Sequence, residues 1–194
     1  MRVMLLTFAS MFFASVTPVN GQQSTVSARG IFLGGVAGAG WTRVGCDYCR
    51  RDFEAGPTAS VHVGTHVRPG LRMGAELSGW THGDGEEDVR LVMGALTAVA
   101  WLHPRPGGPF FVKGGLGWVT YRVWGDGDDD DLASGGPGIQ LGAGWEFRLS
   151  EALTVSNFLH VTASAFGKLR SGETVVVDNL GVTSIQLGVG IARR

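Results

Sequence analysis

Three groups of residues carry side chains whose type and spacing could do chemistry. In Ser156-Asn157-Phe158-Leu159-His160-Val161-Thr162-Ala163-Ser164, His160 shares alternate positions with Ser156, Thr162 and Ser164. On an extended strand these side chains emerge on one face, as a hydroxyl nucleophile and its base must. A second group, Cys46-Asp47-Tyr48-Cys49, is a lone CxxC. Zinc would want four ligands and a redox pair would want a helix N-terminus to lower a thiol pKa, and neither support is visible. The third, Gly125-Asp126-Gly127-Asp128-Asp129-Asp130-Asp131, resembles the start of a calcium loop. Asp131 stands where that loop needs glycine, and Pro137 stands where its closing glutamate should be. With Asp84, Glu86, Glu87 and Asp88 it reads instead as a solvated acidic rim, able to hold divalent ions loosely or to meet a cationic partner. No catalytic residue, metal site or cofactor is assigned.

The elements that must position these residues are set by composition. Of 194 residues 32 are glycine, more than twice the ~7% usual in globular chains. Glycine costs about 1 kcal/mol at each interior helix position, so its recurrence at Gly114-Gly115-Leu116-Gly117 and Gly142-Ala143-Gly144 argues against helices. A 44% hydrophobic content excludes disorder, and a formal charge of −1 gives no reason to expect nucleic acid. Residues 1–21 read as a secretory signal peptide, with Arg2 before an apolar run from Val3 to Val16 and small residues near Gly21. That run is too short for a membrane-spanning helix. Residues 22–194 form the mature domain. Export places Cys46 and Cys49 in an oxidising compartment, where a loop disulfide between them is expected.

The mature chain divides into eight apolar or alternating stretches, about 29–43, 57–68, 71–82, 89–102, 109–123, 138–149, 153–166 and 180–192. Alternation is nearly unbroken from Ile139 to Arg148, with Ile139, Leu141, Ala143, Trp145 and Phe147 opposing Gln140, Gly142, Gly144, Glu146 and Arg148. Pro57, Pro69, Pro104, Pro106, Pro109 and Pro137 are placed at strand starts or between strands, since proline cannot donate to a ladder. Short connections (Pro69-Gly70, 103–108, 150–152) alternate with mostly longer, polar ones (44–56, 83–88, 124–137, 167–179). This predicts an all-β, eight-stranded antiparallel up-and-down transmembrane barrel with both termini on the short-turn, periplasmic side.

A soluble lipocalin-like barrel shares the period with the faces reversed and would bind a hydrophobic ligand inside. Two further features favour the membrane form. Glycines at 64, 74, 94, 115, 117, 142, 144 and 188 are assigned to the polar face, which suits a narrow interior. Trp41, Trp101, Phe110, Trp145 and Phe147 are assigned to the ends of the apolar face, as interfacial girdles require. His62, His66, Arg72, Glu76, Arg90, Lys113, Glu146, Arg148 and His160 are then expected to share the lumen as a polar network that closes it. Unpaired charge there is costly, and counting from the turns suggests the pairs Lys113–Glu146 and His62–Glu76.

The run Gly142-Ala143-Gly144-Trp145-Glu146-Phe147-Arg148-Leu149-Ser150-Glu151-Ala152-Leu153 resembles the glycine-spaced strand, Leu-Ser turn and next strand of the small OmpA/OmpX-like outer-membrane barrels. The resemblance spans about residues 28–194. It implies a bacterial outer-membrane location, contact with outer-membrane lipid and lipopolysaccharide, insertion by the barrel-assembly machinery and a structural or surface-interaction role. The last strand ends in Arg193-Arg194 rather than an aromatic residue, and no periplasmic tether domain is expected. Small barrels of similar build include lipid A deacylases, whose His-x-Ser-Asn spacing is absent. A lipid-modifying enzyme centred on His160 is therefore the alternative reading.

Overall fold

A computed structural model describes residues 30–45, 52–84, 89–124, 132–165, 168–171, 174–178 and 180–193. Its strands are β1 (Ile31–Gly45), β2 (Glu54–Arg68), β3 (Leu71–Asp84), β4 (Val89–Leu102), β5 (Phe110–Trp124), β6 (Leu132–Arg148), β7 (Leu153–Ala165), β8 (Lys168–Ser171), β9 (Thr174–Asp178) and β10 (Gly181–Arg193). Eight of them form an antiparallel meander that closes on itself through β1 and β10, with β7 between β10 and β6 and with β5 paired to β6. The eight proposed strands are thus the barrel staves. β8 and β9 form a hairpin within the stretch read as a loop, and β8 pairs with the start of β6.

Alternation sets the two faces. Ile31, Leu33, Leu77, Leu96, Leu116, Ile139, Leu141, Leu187 and Val189 are exposed on the outside, while Glu76, Gln140, His160 and Gln186 are buried inside. An apolar exterior around a polar interior is the polarity of a membrane barrel, the reverse of the lipocalin-like arrangement. On β5 the outward side chains run from Phe110 to Trp118 before the first charge at Arg122, about nine residues, the length of a tilted transmembrane strand.

The turns at 69–70, 103–109 and 149–152 lie at one end together with Gly30 and Arg193. Gly70 and Gly107 take φ of 80° and 79° there, a conformation that glycine adopts without strain. Cys46, Cys49, Glu86, Glu87, Asp88, Asp126, Asp128, Asp129, Asp130 and Asp131, and the leader 1–21, lie outside the described residues. Asp84 ends β3.

Three placements differ from the sequence reading. Pro57 and Pro137 lie within strands, paired to Ala39 and Trp118. Each directly precedes the first residue, Thr58 or Gly138, that pairs with the next barrel stave, β3 or β7, and is itself unpaired on that side. The missing N–H therefore costs no ladder bond. Arg90 and Gly94 face outward and Trp101 faces inward, 4% exposed. In β4 the alternate sets Val92, Leu96, Ala98 and Met93, Ala95, Val99 are both apolar, so alternation could not say which looks in.

A Cβ on Gly64 would stand 2.7 Å from the Phe32 ring, whereas one on Gly83 would meet nothing within 4 Å. Gly64→Val is expected to destabilise the barrel by about 1–3 kcal/mol, the usual cost of overpacking, and Gly83→Ala to be neutral. The check is the urea midpoint of the heat-modifiable, folded form in detergent. Equal midpoints for the two variants would refute this packing.

Candidate functional site

The interior is layered. Toward the long-loop end Trp80, Met93, Val119, Tyr121, Leu180 and Val182 pack into one apolar cluster, and toward the turn end Phe32, Val99, Trp101, Phe111 and Phe158 form another. Between them, inward positions of β3, β4, β5, β6 and β7 bring Glu76, Thr97, Lys113, Gln140 and His160 together. Lys113 Nζ donates to Glu76 Oε1 at 2.8 Å and Oε2 at 2.9 Å, and Gln140 Nε2 donates to Oε1 at 2.8 Å. His160 Nδ1 is 3.9 Å from the same Oε1 and 3.4 Å from Gln140 Nε2. The ammonium also sits 4.7 Å from the centre of the Phe158 ring. Glu76 thus gathers hydrogen bonds and a counter-charge, which is what a buried carboxylate requires.

Nearer the turns, Arg72 pairs with Glu146 across the barrel, and its guanidinium lies 5.0 Å from the centre of the Phe32 ring. His103 Nε2 is 3.4 Å from Glu146 Oε2 and 3.3 Å from an Arg72 nitrogen. A cavity of ≈ 20 Å³ lies beside the two ion pairs, lined in part by Arg72, Glu76, Lys113 and Glu146. It has room for one water molecule.

These pairings are not the ones suggested by counting from the turns. Lys113 opposes Gly142 in the ladder, and Glu146 lies four positions further along, bonded through its amide to Pro109. Strand stagger in a closed barrel offsets residues that sit equally far from their turns. Lys113 therefore meets Glu76, and Glu146 meets Arg72. His62 does stand across the ladder from Glu76, but its ring lies against Gly34, 5.9 Å from Phe32 and 5.7 Å from Trp101 between ring centres. Its Nδ1 has no hydrogen-bond partner among the described residues.

Of the remaining candidates, His66 lies near the turn end with Nδ1 3.3 Å from the Gly30 carbonyl oxygen. Arg148 is exposed at the end of β6, and Arg90 is on the outer wall, outside the network. Alternation does not reveal His103, which lies in a turn, nor the role of Gln140 as donor to Glu76, although its inward position is legible. Nor does it reveal the apolar layers, because Trp80 and Phe111 break the expected polar pattern. His160 is 1% exposed and faces the lumen, as do Thr162 and Ser156.

A closed antiparallel barrel with an apolar belt outside and ion-paired side chains filling its interior is an outer-membrane β-barrel. The chain belongs to the family described as the outer membrane protein beta-barrel domain, which it matches over residues 4–192. Among solved structures it is similar to Neisserial surface protein A, at 15% identity over 84% of this chain and 98% of that one, with a TM-score of 0.56. It is likewise similar to Ail, the attachment invasion locus protein of Yersinia pestis, at 13% identity over 83% and 97%, with a TM-score of 0.54. At these identities the likeness is one of fold. No curated protein sequence matches the chain.

Replacing Glu76 by Leu is expected to cost about 3–5 kcal/mol by leaving the Lys113 ammonium buried without its carboxylate, whereas Glu76→Leu with Lys113→Met should recover most of that loss. Urea unfolding of the two single variants and the double variant in detergent micelles measures the coupling. If the double variant is no more stable than Glu76→Leu alone, the pair is not the interaction described.

Proposed function

We propose that the protein is a closed, non-enzymatic barrel of the bacterial outer membrane that carries its long loops at the cell surface, in a structural or surface-interaction role. The carrying observation is how the described residues fill the lumen: two aromatic and aliphatic layers enclose the Glu76–Lys113–Gln140 network, and the cavity beside the ion pairs has room for one water. Eight-stranded interiors are filled by side chains rather than water. The chain's likeness in fold to a surface protein and an attachment protein supports a surface role. A lipid-cleaving site should open toward the membrane, and His160 is buried in the lumen, which supports the non-enzymatic reading.

In this reading residues 1–21 are removed on export, the assembly machinery inserts the barrel, and lipid surrounds its belt. The short turns and both termini face the periplasm, and the acidic loops 84–88 and 126–131 face out, where they meet lipopolysaccharide or a partner. Proteoliposomes of the mature protein are expected to stay impermeable to small sugars and to show no steady ion current. Cysteines introduced at Ser150 and Gly127 of a Cys46→Ser/Cys49→Ser background are expected to label on intact cells only at position 127. A stable conductance would overturn the closed barrel, and labelling at 150 alone would overturn the orientation.

A further inference from the structure

The outer wall segregates charge. On the described barrel strands its charged residues are Arg43, Arg90 and Arg122 at the long-loop end and Arg68 and Arg193 at the turn end, with no acidic residue among them. The carboxylates of Glu76 and Glu146 turn inward, and that of Glu54 lies 3.4 Å from inward-facing His82 Nε2. Arginine facing hydrocarbon is expensive, so this wall passes from lipid tail to headgroup between the last apolar row and the arginines.

Arg90 and Arg122 form the densest part of that array. Arg90 stands opposite Trp124 across the β4–β5 ladder, and Val92 stands opposite Arg122. The arginines are thus diagonal neighbours, about 7–8 Å apart at the backbone. Arg90 is flanked on β3 by Gly83, and Arg122 on β6 by Ala133, so each arginine has a small ladder neighbour on one side and Trp124 or Val92 on the other. Below them Gly79, Gly94, Thr120 and Gly135 form one outward row, and Leu77, Leu96, Trp118 and Pro137 form the next. Trp118 leans toward the loop end: a Cβ on Gly135 would lie 2.9 Å from its indole Nε1. Two arginine positions and an indole N–H therefore border a shelf of mostly small side chains just above an apolar wall.

We propose that this shelf binds the phosphorylated, acylated glycolipid of the outer leaflet. Arg90 and Arg122 take a glycolipid phosphate, the Trp118 N–H donates to the headgroup, and the acyl chains lie on Leu77, Leu96 and Leu116. The chemistry fits because guanidinium groups bind phosphate bidentately and interfacial tryptophan joins an apolar body to a polar tip. Arg43 is not part of the site: it lies on β1, three strands away, and its guanidinium sits 5.0 Å from the centre of the Phe53 ring. The inference deepens the proposed role by assigning the wall residues that hold the lipid and rests on the loop end facing outward.

The test is binding in detergent, which does not depend on orientation. The folded mature protein is titrated with bis-phosphorylated lipid A, with its dephosphorylated form and with phosphatidylglycerol, all in chelator, and bound lipid is counted by native mass spectrometry. Removing both charges in Arg90→Gln/Arg122→Gln is expected to weaken phosphorylated lipid A binding about 25-fold, near fivefold for each arginine. Arg90→Lys/Arg122→Lys should retain part of the affinity, Trp118→Phe should lose a smaller share, and Arg43→Gln should match the parent. Each variant is first shown to migrate as a folded, heat-modifiable barrel, and the single Arg122→Gln serves if the double variant does not fold. Parent-like binding by the glutamine variants, or equal binding of dephosphorylated lipid A or phosphatidylglycerol, would overturn the site. Surface labelling separately decides the orientation, so that reading can fail without the binding site failing.

Discussion

Everything in this protein depends on one constraint: in hydrocarbon no backbone N–H or C=O can be left to water, so a sheet that crosses the membrane must close. The β1–β10 pairing, running from Leu33 and Arg193 to Gly45 and Gly181, is where that requirement is met. Closing at eight strands makes the interior narrow. A narrow interior in turn dictates glycine where rings need room, as at Gly34 beneath His62 and at Gly64 beside Phe32. The same constraint tolerates Pro57 and Pro137 where a strand has a neighbour on only one side.

Closure also decides the fate of charge. Charged groups inside the barrel are cut off from bulk water, so each needs a partner within reach. Lys113 and Gln140 satisfy Glu76, and Arg72 and His103 surround Glu146. The partners come from strands that are not sequence neighbours, because the lumen joins inward faces across the barrel. The two apolar layers on either side then shield the middle network. The interior is best understood as a packed core with a polar centre.

The wall divides along its height. Among the described residues its middle is uncharged and apolar, its loop end carries Arg43, Arg90 and Arg122, and its aromatic residues mark the boundaries, Phe110 and Trp145 at the turn end and Trp118 at the other. The apolar middle of this exterior is matched to lipid tails.

Much of this was legible in the residue order. Strand number, the alternation of turns and loops, and the inward parity of β3, β6 and β7 follow from period-two patterning, because a strand puts alternate side chains on opposite faces. That period also placed Glu76, Lys113, Glu146 and His160 in the lumen. It failed in β4, where both faces are apolar, so Trp101 and Gly94 were assigned to the wrong sides and Arg90 was drawn into the lumen. Which charge meets which was beyond it: residues at equal counts from their turns are offset by stagger, so Lys113 reaches Glu76 rather than Glu146. What the sequence by itself determined is the barrel and the polarity of most of its staves, since these are local properties of alternating side chains. What only the tertiary structure decided is the ion-pair partners, the layering of the core and the arginine shelf, since each depends on the register between strands.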